Sequence, residues 1–417
     1  MTAFSHTPSE QPRAAAMWVL VCGVAAALHV GKLPAMLPLV AEEMRLSRIE
    51  TGWLLAVFQI AGMLLGMMGG LLADKIGRKR LMLTGLALLG CSSVGAGLLV
   101  ERGSVNGLVW LLVFRTIESF AFIFTVLPGP GLLQGLVPIA QLRRYMGWWS
   151  AYMPTGMALG LVAAPMLSRV MGWRGVWIVL GVISLLLFAV VSRNLPKDAV
   201  ATSGSTQMLS FASILRATVG ESGPWLLALL FLCYAAQWSG LFGFLPTIYK
   251  EQGIDAITIG WLTALAVFAN SIGNVVAGSS KIRLSPWSIV AIAACVMSLC
   301  LAVVLGALQR FIGIELSFTV RFAAVVTFSL IGGFIPSTIF GLVAALAPLL
   351  KNGERAVGTT AGMFQQGSAF GQVMTPPLIA WTVQRSNDWA SAWWVMAALT
   401  FGCLVAAYGL KQELQAK

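Results

Sequence analysis

The amino-acid sequence predicts an all-α integral membrane protein whose 12 transmembrane helices form two pseudo-symmetric six-helix bundles. Three observations lead to this fold class. Of the 417 residues, 58% are hydrophobic and only 10% are charged, whereas about a quarter of the residues in a soluble domain are charged. Twelve apolar stretches are each long enough to cross about 30 Å of hydrocarbon as a helix. One polar stretch in the middle of the chain separates the first six from the last six.

The twelve apolar stretches are bounded by charged residues, glycines or prolines. Helices are expected because lipid-facing backbone must satisfy its own hydrogen bonds and because the alternation typical of membrane strands is absent. The first stretch is too long for a signal peptide and lacks a small-residue cleavage site, so we expect it to stay attached. In chain order the predicted spans are 17–41, 51–73, 81–100, 107–136, 145–168, 174–195, 222–249, 257–279, 286–306, 318–347, 357–383 and 390–410.

The distribution of Lys and Arg predicts the orientation of the spans. An even number of spans places both termini on one side, where the loops and termini contain 16 basic residues against 8 on the other side. Because basic loops stay in the cytoplasm, both termini are expected to be cytoplasmic, with the spans crossing a bacterial inner membrane. The net charge of +12 is then mainly a topology signal. The basic residues form no patch with interleaved aromatic residues, so nucleic acid is not an expected partner.

The residue types that bind metals or carry catalysis are scarce. The six cysteines lie in apolar stretches without a Cys-x-x-Cys motif, and the chain has two histidines. Neither a disulfide framework nor a metal site is predicted. The sequence also lacks a Gly-x-Ser-x-Gly motif and a histidine cluster, so neither an enzyme nor a bound cofactor is expected.

The polar stretch 196–221 is predicted to be a cytoplasmic linker between an N-terminal six-helix bundle, 1–195, and a C-terminal one, 222–417. A shift of 208 residues aligns Pro38 with Pro246. The same shift aligns the sequence Gly-Trp-Leu that begins span two with an identical sequence at the start of span eight. Several matches at a nearly constant shift favour duplicated bundles, which is the arrangement of alternating-access transporters.

The loop between spans two and three carries a specific motif. It reads Gly70-Leu-Leu-Ala-Asp74-Lys-Ile-Gly77-Arg78-Lys-Arg and strongly resembles the signature loop of the major facilitator superfamily, Gly-x-x-x-Asp-Arg/Lys-x-Gly-Arg-Arg/Lys. The resemblance covers essentially the whole chain in span number, linker position and topology. It implies a gate in which the Asp and Arg of this loop hold the cytoplasmic ends of the bundles together. By position the gate residues would be Gly70, Asp74, Gly77 and Arg78. The corresponding loop of the second half lacks the acid and the second glycine.

Ionisable residues inside the spans are functional candidates, because a charge at the bilayer centre costs about 2.5 kcal/mol or more. His29 and Lys32 share one face of span one, and Arg115 and Glu118 share one face of span four, since each pair is three residues apart. A rise of about 1.5 Å per residue places Lys32 and Arg115 roughly 12 to 14 Å deep, and His29 and Glu118 roughly 16 to 18 Å deep. If the chain has the fold of the superfamily, both spans line the cavity.

These positions predict two chemical roles. Lys32 and Arg115 would bind an anionic substrate, the guanidinium through planar donors and the ammonium as a point charge. Glu118 would carry a proton, with His29 as a second titratable group. The alternative is an internal Arg115–Glu118 salt bridge that only makes span four insertable, with His29 bound to a backbone carbonyl. Arg321 lies about four residues into span ten, where it either functions in transport or extends to the outer membrane surface.

The second half offers neutral polar groups where the first offers charge. Gln237 is the counterpart of His29, and Gly240 is the counterpart of Lys32. Trp238 either lines the cavity or packs against lipid. Prolines in spans four and five either expose backbone carbonyls to a cavity or serve packing. The side chains expected to line this half of the cavity are Tyr234, Gln237, Trp238, Asn270, Asn274, Gln365 and Gln366.

The predicted function is uptake of a small organic solute, an anion or carboxylate, by proton-coupled alternating access. The run Arg115-Thr-Ile-Glu118-Ser-Phe resembles the Arg-x-x-Glu-Gly-x-Gly of span four in the cyanate and nitroimidazole transporter branch. The alternative is proton-driven efflux of drugs or metabolites. The antiporter motif Gly-x-x-x-Gly-Pro-x-x-Gly-Gly is incomplete here, because Gly156 and Gly160 are kept, the proline is displaced to Pro165, and the final glycine pair is missing. The expected partners are a small-molecule substrate, a co-transported proton and the lipid bilayer, and the expected state is a monomer.

Overall fold

A computed structural model describes residues 10–67, 76–100, 105–138, 141, 145, 148–149, 151–196, 211–277, 284–346 and 357–416. In these residues the chain forms helices and short turns and no strand. The predicted all-α fold is therefore confirmed. Short 3₁₀ turns join α2 to α3 and precede α16. In chain order the described helices are α1 (Glu10–Met44), α2 (Arg48–Ala56), α3 (Ile60–Leu65), α4 (Arg78–Leu99), α5 (Val105–Val126), α6 (Gly129–Leu136), α7 (Tyr152–Asn194), α8 (Phe211–Val219), α9 (Ser222–Glu251), α10 (Ala256–Ala277), α11 (Pro286–Val304), α12 (Ala307–Ile312), α13 (Phe318–Gly332), α14 (Phe334–Leu346), α15 (Val357–Ser386) and α16 (Trp393–Ala416).

Each predicted span has a helical counterpart. Within the described residues, ten helical stretches are long and apolar enough to cross a membrane. One of them, α7, covers both span five and span six, and it is broken at Gly172, where φ is 65° and ψ is 177°. This backbone conformation is essentially restricted to glycine. Span eleven corresponds to α15, a helix of 30 residues.

The helices pack into two compact units. The first contains the described residues of 1–44 and 69–203, and the second contains those of 45–68 and 204–417. Helices α2 and α3 therefore pack in the second unit, although the helices before and after them in the chain belong to the first. The predicted bundle boundaries, 1–195 and 222–417, stay a prediction. The predicted linker 196–221 contains the nine-residue helix α8.

The prolines and glycines after α5 lie at the start of α6. Pro128 precedes α6 and Pro130 lies in its first turn, where the missing N–H of a proline has no helical partner to lose. At Gly131 an added Cβ would come within 2.7 Å of the Arg78 side chain. The glycine thus allows the Arg78 guanidinium to lie directly on the backbone of α6.

Candidate functional site

The four ionisable residues predicted at membrane depth meet inside the first unit. There α1 packs on α5 and α7, and α4 packs on the same two helices. His29 and Lys32 lie on one face of α1, and Arg115 and Glu118 lie on one face of α5, as the three-residue spacing requires. All four side chains are buried, with exposed fractions of 2% or less. Helix packing therefore brings both predicted pairs to a single point.

Glu118 is the centre of this buried cluster. Its Oε1 accepts a hydrogen bond from Lys32 Nζ at 2.5 Å, and its Oε2 accepts one from Arg115 Nη1 at 2.7 Å. The same Arg115 nitrogen donates to the backbone carbonyl of His29 at 2.8 Å. The carboxylate thus bridges the two cations that the sequence assigns to substrate binding.

The Lys32 ammonium group uses all three of its donor positions. Besides Glu118, Nζ donates to Ser93 Oγ at 2.8 Å and contacts His29 Nδ1 at 3.0 Å. It also lies 4.6 Å from the ring centre of Trp177, a distance that gives a favourable cation–π interaction. Since an ammonium group has three N–H donors, another anion can bind Lys32 only when one of these partners leaves.

The partners of His29 indicate an uncharged imidazole. Its Nδ1 faces the Lys32 ammonium and must accept a hydrogen bond, so the ring proton lies on Nε2. Nε2 lies 3.0 Å from Ser184 Oγ, and Ser184 Oγ donates onward to the Leu180 carbonyl at 3.1 Å. With His29 neutral, Lys32 and Arg115 together exceed Glu118 by one positive charge. The buried cluster thus has a net charge of +1, which a further anion would neutralise.

Three members of the cluster were missed by sequence reasoning: Ser93, Trp177 and Ser184. Trp177 and Ser184 are seven residues apart and so lie on one face of α7, and Ser93 Oγ donates to the Trp177 carbonyl at 2.7 Å. This seven-residue spacing is the only signal that the sequence offers for Trp177 and Ser184. It is weak, because serines in apolar helices commonly bind a carbonyl of their own helix.

The second unit holds a network of neutral polar groups. Asn270 Nδ2 donates to Tyr234 Oη at 3.1 Å and to the Ser329 carbonyl at 2.9 Å. Asn274 Nδ2 donates to Asn270 Oδ1 at 3.0 Å. These bonds connect α9, α10 and α13, and so the structure brings the predicted Tyr234 and Asn270 into direct contact.

Gln237 lies one turn after Tyr234 on α9 and is buried. Its Nε2 donates weakly to the Cys233 carbonyl at 3.4 Å. Several buried polar atoms have no hydrogen-bond partner among the described residues, and they include Gln237 Oε1, Trp238 Nε1 and Ser329 Oγ. A buried polar atom without a partner costs about 1 to 3 kcal/mol, so these atoms favour a polar ligand.

The remaining candidates of the second unit lie apart from this network. The ring of Trp238 packs 4.8 Å from that of Phe242. Gln365 is exposed, and Gln366 Nε2 donates to the Met63 carbonyl at 2.6 Å. Arg321 donates to Gln309 and lines a cavity of about 510 Å³ next to the Glu251 end of α9.

The predicted gate loop is described in part. Gly70 and Asp74 lie outside the described residues, so their roles stay a prediction. Gly77 precedes α4 with a φ of 96°, a value that favours glycine. Arg78 Nη1 donates to the Gly131 carbonyl at 2.9 Å. Arg78, the predicted gate arginine, is thus anchored on α6, close to the break in span four.

A comparison with protein families identifies the chain. A family model described as Major Facilitator Superfamily matches residues 19–365. The chain belongs to this superfamily. It is consequently a multi-pass membrane transporter rather than an enzyme.

Two curated transporters are similar to this chain along most of their length. The 3-(3-hydroxy-phenyl)propionate transporter of Escherichia coli is 26% identical over 381 residues, which cover 88% of this chain and 85% of the relative. A probable sulfoacetate transporter of Cupriavidus necator is 26% identical over 383 residues, covering 87% and 85%.

Solved structures of the superfamily share the fold. A bacterial homologue of the human lysosomal transporter Spinster, in an inward-facing and occupied conformation, gives a TM-score of 0.76 at 14% identity, covering 99% of this chain and 98% of that one. The same homologue in an unoccupied conformation gives 0.75 at 16% identity, with the same coverage. These likenesses concern the fold alone.

Proposed function

We propose that this transporter carries a small organic anion into a bacterial cell together with protons, by alternating access. The observation that supports this best is the buried cluster of Lys32, Arg115 and Glu118, whose net charge of +1 attracts an anion. The names of the two similar transporters, for hydroxyphenylpropionate and for sulfoacetate, both denote organic anions. The proposed substrate is therefore a carboxylate or a similarly shaped anion.

Protonation of Glu118 is the proposed coupling step. In the structure both cations bind the Glu118 carboxylate, so a substrate carboxylate has to compete with it. A proton on Glu118 removes its negative charge and leaves Lys32 and Arg115 available to the substrate. Arg115 then offers planar donors and Lys32 a mobile point charge. The proton and the anion consequently favour each other's binding, which is the linkage that a symporter needs.

Charge balance favours more than one proton per anion. A negative-inside potential opposes the inward movement of each net negative charge by about 2.3 kcal/mol per 100 mV. One proton per monoanion makes the step neutral and two make it favourable. We assign the first proton to Glu118 and the second to His29, because His29 Nδ1 becomes available as soon as Lys32 turns from it towards the substrate.

The proposed substrate contacts also include neutral residues of the second unit. The acceptor Gln237 Oε1 and the donor Trp238 Nε1 both lack a partner in the described chain, and a hydroxyl or amide group of a substrate would satisfy either. Tyr234, Asn270 and Gln365 complete the proposed set of substrate contacts.

The proposal also includes a topology and a gate. Both termini lie in the cytoplasm, and the protein is a monomer in the bacterial inner membrane. The proposed gate consists of Gly70, Asp74, Gly77 and Arg78. The hydrogen bond from Arg78 to the Gly131 carbonyl supports a role for Arg78 in this gate. We also keep the prediction that the chain falls in the cyanate and nitroimidazole branch of the superfamily. The reason is the run from Arg115 to Glu118, which resembles span four of that branch.

Transport by purified protein in proteoliposomes tests this function. An inward proton gradient is expected to drive accumulation of labelled hydroxyphenylpropionate, sulfoacetate or cyanate, and a protonophore is expected to abolish it. Arg115→Ala is expected to abolish both accumulation and exchange. Expulsion of cationic drugs against a proton gradient, with no movement of any anion, would overturn the proposal in favour of efflux.

A further inference from the structure

The same arrangement of three side chains occurs once in each unit. Glu43 lies near the end of α1 and Glu251 ends α9, 208 residues later, which is the shift that relates the two halves of the sequence. Each carboxylate accepts a hydrogen bond from an indole N–H. Trp173 Nε1 lies 3.0 Å from Glu43 Oε2, and Trp389 Nε1 lies 2.7 Å from Glu251 Oε2. The duplicated helices have thus kept a duplicated contact.

In the first unit, the third member comes from the next position in the chain. Arg174 follows Trp173, its Nη1 lies 2.5 Å from Glu43 Oε1, and its guanidinium lies 4.7 Å from the ring centre of Trp173. Arg174 also donates to the Val100 carbonyl from two of its nitrogens. This triad therefore joins the ends of α1 and α4 to the middle of α7, all within the first unit.

In the second unit, the residue after the tryptophan is Ala390, and the arginine comes from a different helix. Arg48 is the first residue of α2. Its Nη1 lies 3.0 Å from Glu251 Oε1, and its guanidinium lies 5.2 Å from the ring centre of Trp389. A distant arginine thus makes both contacts that Arg174 makes in the first triad.

The start of α2 is shaped to present Arg48. Ser47 and Glu50 form a capping box in which each side chain binds the backbone N–H of the other residue, an arrangement that fixes the first turn of a helix. The backbone N–H of Ile49 donates to Gln384 Oε1 on α15 at 3.2 Å. The first turn of α2 is thereby held to both α9 and α15.

The two triads differ in exposure and in chain connectivity. Arg48 and Glu251 are 33% and 42% exposed, against 19% and 26% for Arg174 and Glu43. Ion pairs that water reaches are weak and easily broken. In addition, α2 and α3 pack in the second unit while the chain on both sides of them belongs to the first. The Arg48 triad therefore binds α2, a helix that packs in the second unit although the chain before and after α2 and α3 belongs to the first.

We propose that Arg48, Glu251 and Trp389 form a releasable clasp on the outer face of the protein. The clasp stabilises the state in which α2 lies against α9 and α15, and it opens whenever the transporter opens to the outside. The triad of Arg174, Glu43 and Trp173 is its permanent counterpart. This inference rests on the alternating access and cytoplasmic termini of the proposed function, because that orientation places the Met44 end of α1 and the Glu251 end of α9 outside.

Labelling of a cysteine beneath the clasp tests this proposal without any substrate. Leu55 on α2 packs against α9, since an added Cβ at Gly243 would come within 3.0 Å of the Leu55 side chain. Leu55→Cys is placed in a protein whose exposed Cys91 and Cys295 are replaced by serine. Intact cells are then treated with a membrane-impermeant maleimide. Arg48→Gln and Glu251→Gln are each expected to raise the labelling rate severalfold, and the double variant is expected to raise it no further.

The matched controls are Arg174→Gln and Glu43→Gln in the permanent triad. They are expected to lower the unfolding temperature while the labelling rate stays at its original value. Exchanging the charges, with Arg48→Glu and Glu251→Arg together, is expected to restore slow labelling. Equal acceleration by both sets of variants, or unchanged labelling in the Arg48 and Glu251 variants, would overturn the clasp. Failure of anion uptake with the expected labelling pattern would overturn the proposed substrate and leave the clasp in place.

Discussion

At the scale of single residues, Glu118 is predicted to decide whether the buried cluster binds another anion. Both of its carboxylate oxygens are occupied, one by Lys32 and one by Arg115. In Glu118→Gln the negative charge is lost permanently, as it is in the protonated wild type. We expect this variant to exchange labelled substrate across the membrane but to accumulate much less of it under a proton gradient, because only the proton assigned to His29 remains. Counterflow and accumulation assays in proteoliposomes measure the two activities separately.

The proposed role of Glu118 also predicts how substrate affinity depends on pH. In the wild type a proton on Glu118 frees the two cations, so substrate affinity should rise as the pH falls. In Glu118→Gln the affinity should be high, and it should keep only the weaker pH dependence that His29 contributes. Glu43→Gln, which alters a carboxylate outside the cluster, should keep the wild-type pH profile. Accumulation with wild-type pH dependence in Glu118→Gln would show that the proton travels elsewhere.

Arg115 is predicted to matter for the shape of its side chain as well as for its charge. Arg115→Lys keeps the positive charge but loses the planar pair of donors that fits a carboxylate. We expect substrate affinity to fall about tenfold, which corresponds to about 1.4 kcal/mol. The 15 tryptophans of the chain allow the affinity to be measured by fluorescence quenching. Unchanged affinity and uptake in Arg115→Ala would make the residue purely structural.

The sequence was sufficient to find the four ionisable members of the cluster because ionisable residues inside membrane spans are rare. It could not show that Lys32 and Arg115 share one carboxylate, since this depends on the rotation and packing of α1 and α5. It also could not separate Ser93, which binds Lys32, from its neighbour Ser92. Ser92 Oγ donates to the Leu89 carbonyl of its own helix, as many helical serines do.

At the scale of helices, the contact between α4 and α6 is predicted to control the rate of cycling. Gly131→Ala places a methyl group within 2.7 Å of the Arg78 guanidinium and should displace it from the α6 carbonyl. We expect a marked fall in transport rate with equilibrium binding largely intact, and the same result for Arg78→Ala, because both changes affect the gate and spare the buried cluster. Transport and binding assays on the same preparations measure the two quantities.

Gly135→Ala is the matched control for this experiment. Gly135 lies one turn later in α6, and no heavy atom lies within 4 Å of an added Cβ among the described residues. Alanine at this position should leave both transport and binding unchanged. An equal loss of binding in Gly131→Ala and Arg78→Ala would instead place Arg78 in the substrate site.

The helices themselves follow from the sequence to a large extent, because their apolar length and the turn residues between them are local properties. The predicted spans 145–168 and 174–195 leave a short gap between them, and the break in α7 occurs in this gap, at Gly172. The packing of α2 and α3 in the second unit was not foreseeable. It depends on close surface contacts such as that of Gly52 with Pro376 and Pro377 on α15.

At the scale of the whole molecule, a duplicated fold carries unequal chemistry. The first unit concentrates ionisable side chains around Glu118, and the equivalent region of the second unit holds neutral groups around Tyr234 and Gln237. The sequence repeat predicted the duplication and this inequality, because both are visible in an alignment of the two halves. The chain can therefore keep a symmetrical architecture while only one unit takes part in the proposed exchange of protons.

The coupling ratio is a property of the complete transporter, and we predict that it depends on His29. With two protons per monoanion, each inward step moves one net positive charge, so a negative-inside potential should accelerate uptake. In His29→Asn the amide stays polar but takes up no proton, and the ratio should fall to one. Uptake by this variant should still respond to a pH gradient but no longer to potential. Potassium diffusion potentials set with valinomycin in proteoliposomes apply the two forces separately. If a negative-inside potential still stimulates uptake by His29→Asn, the second proton is carried by another group. If the same potential inhibits uptake by the wild type, fewer than one proton accompanies each anion.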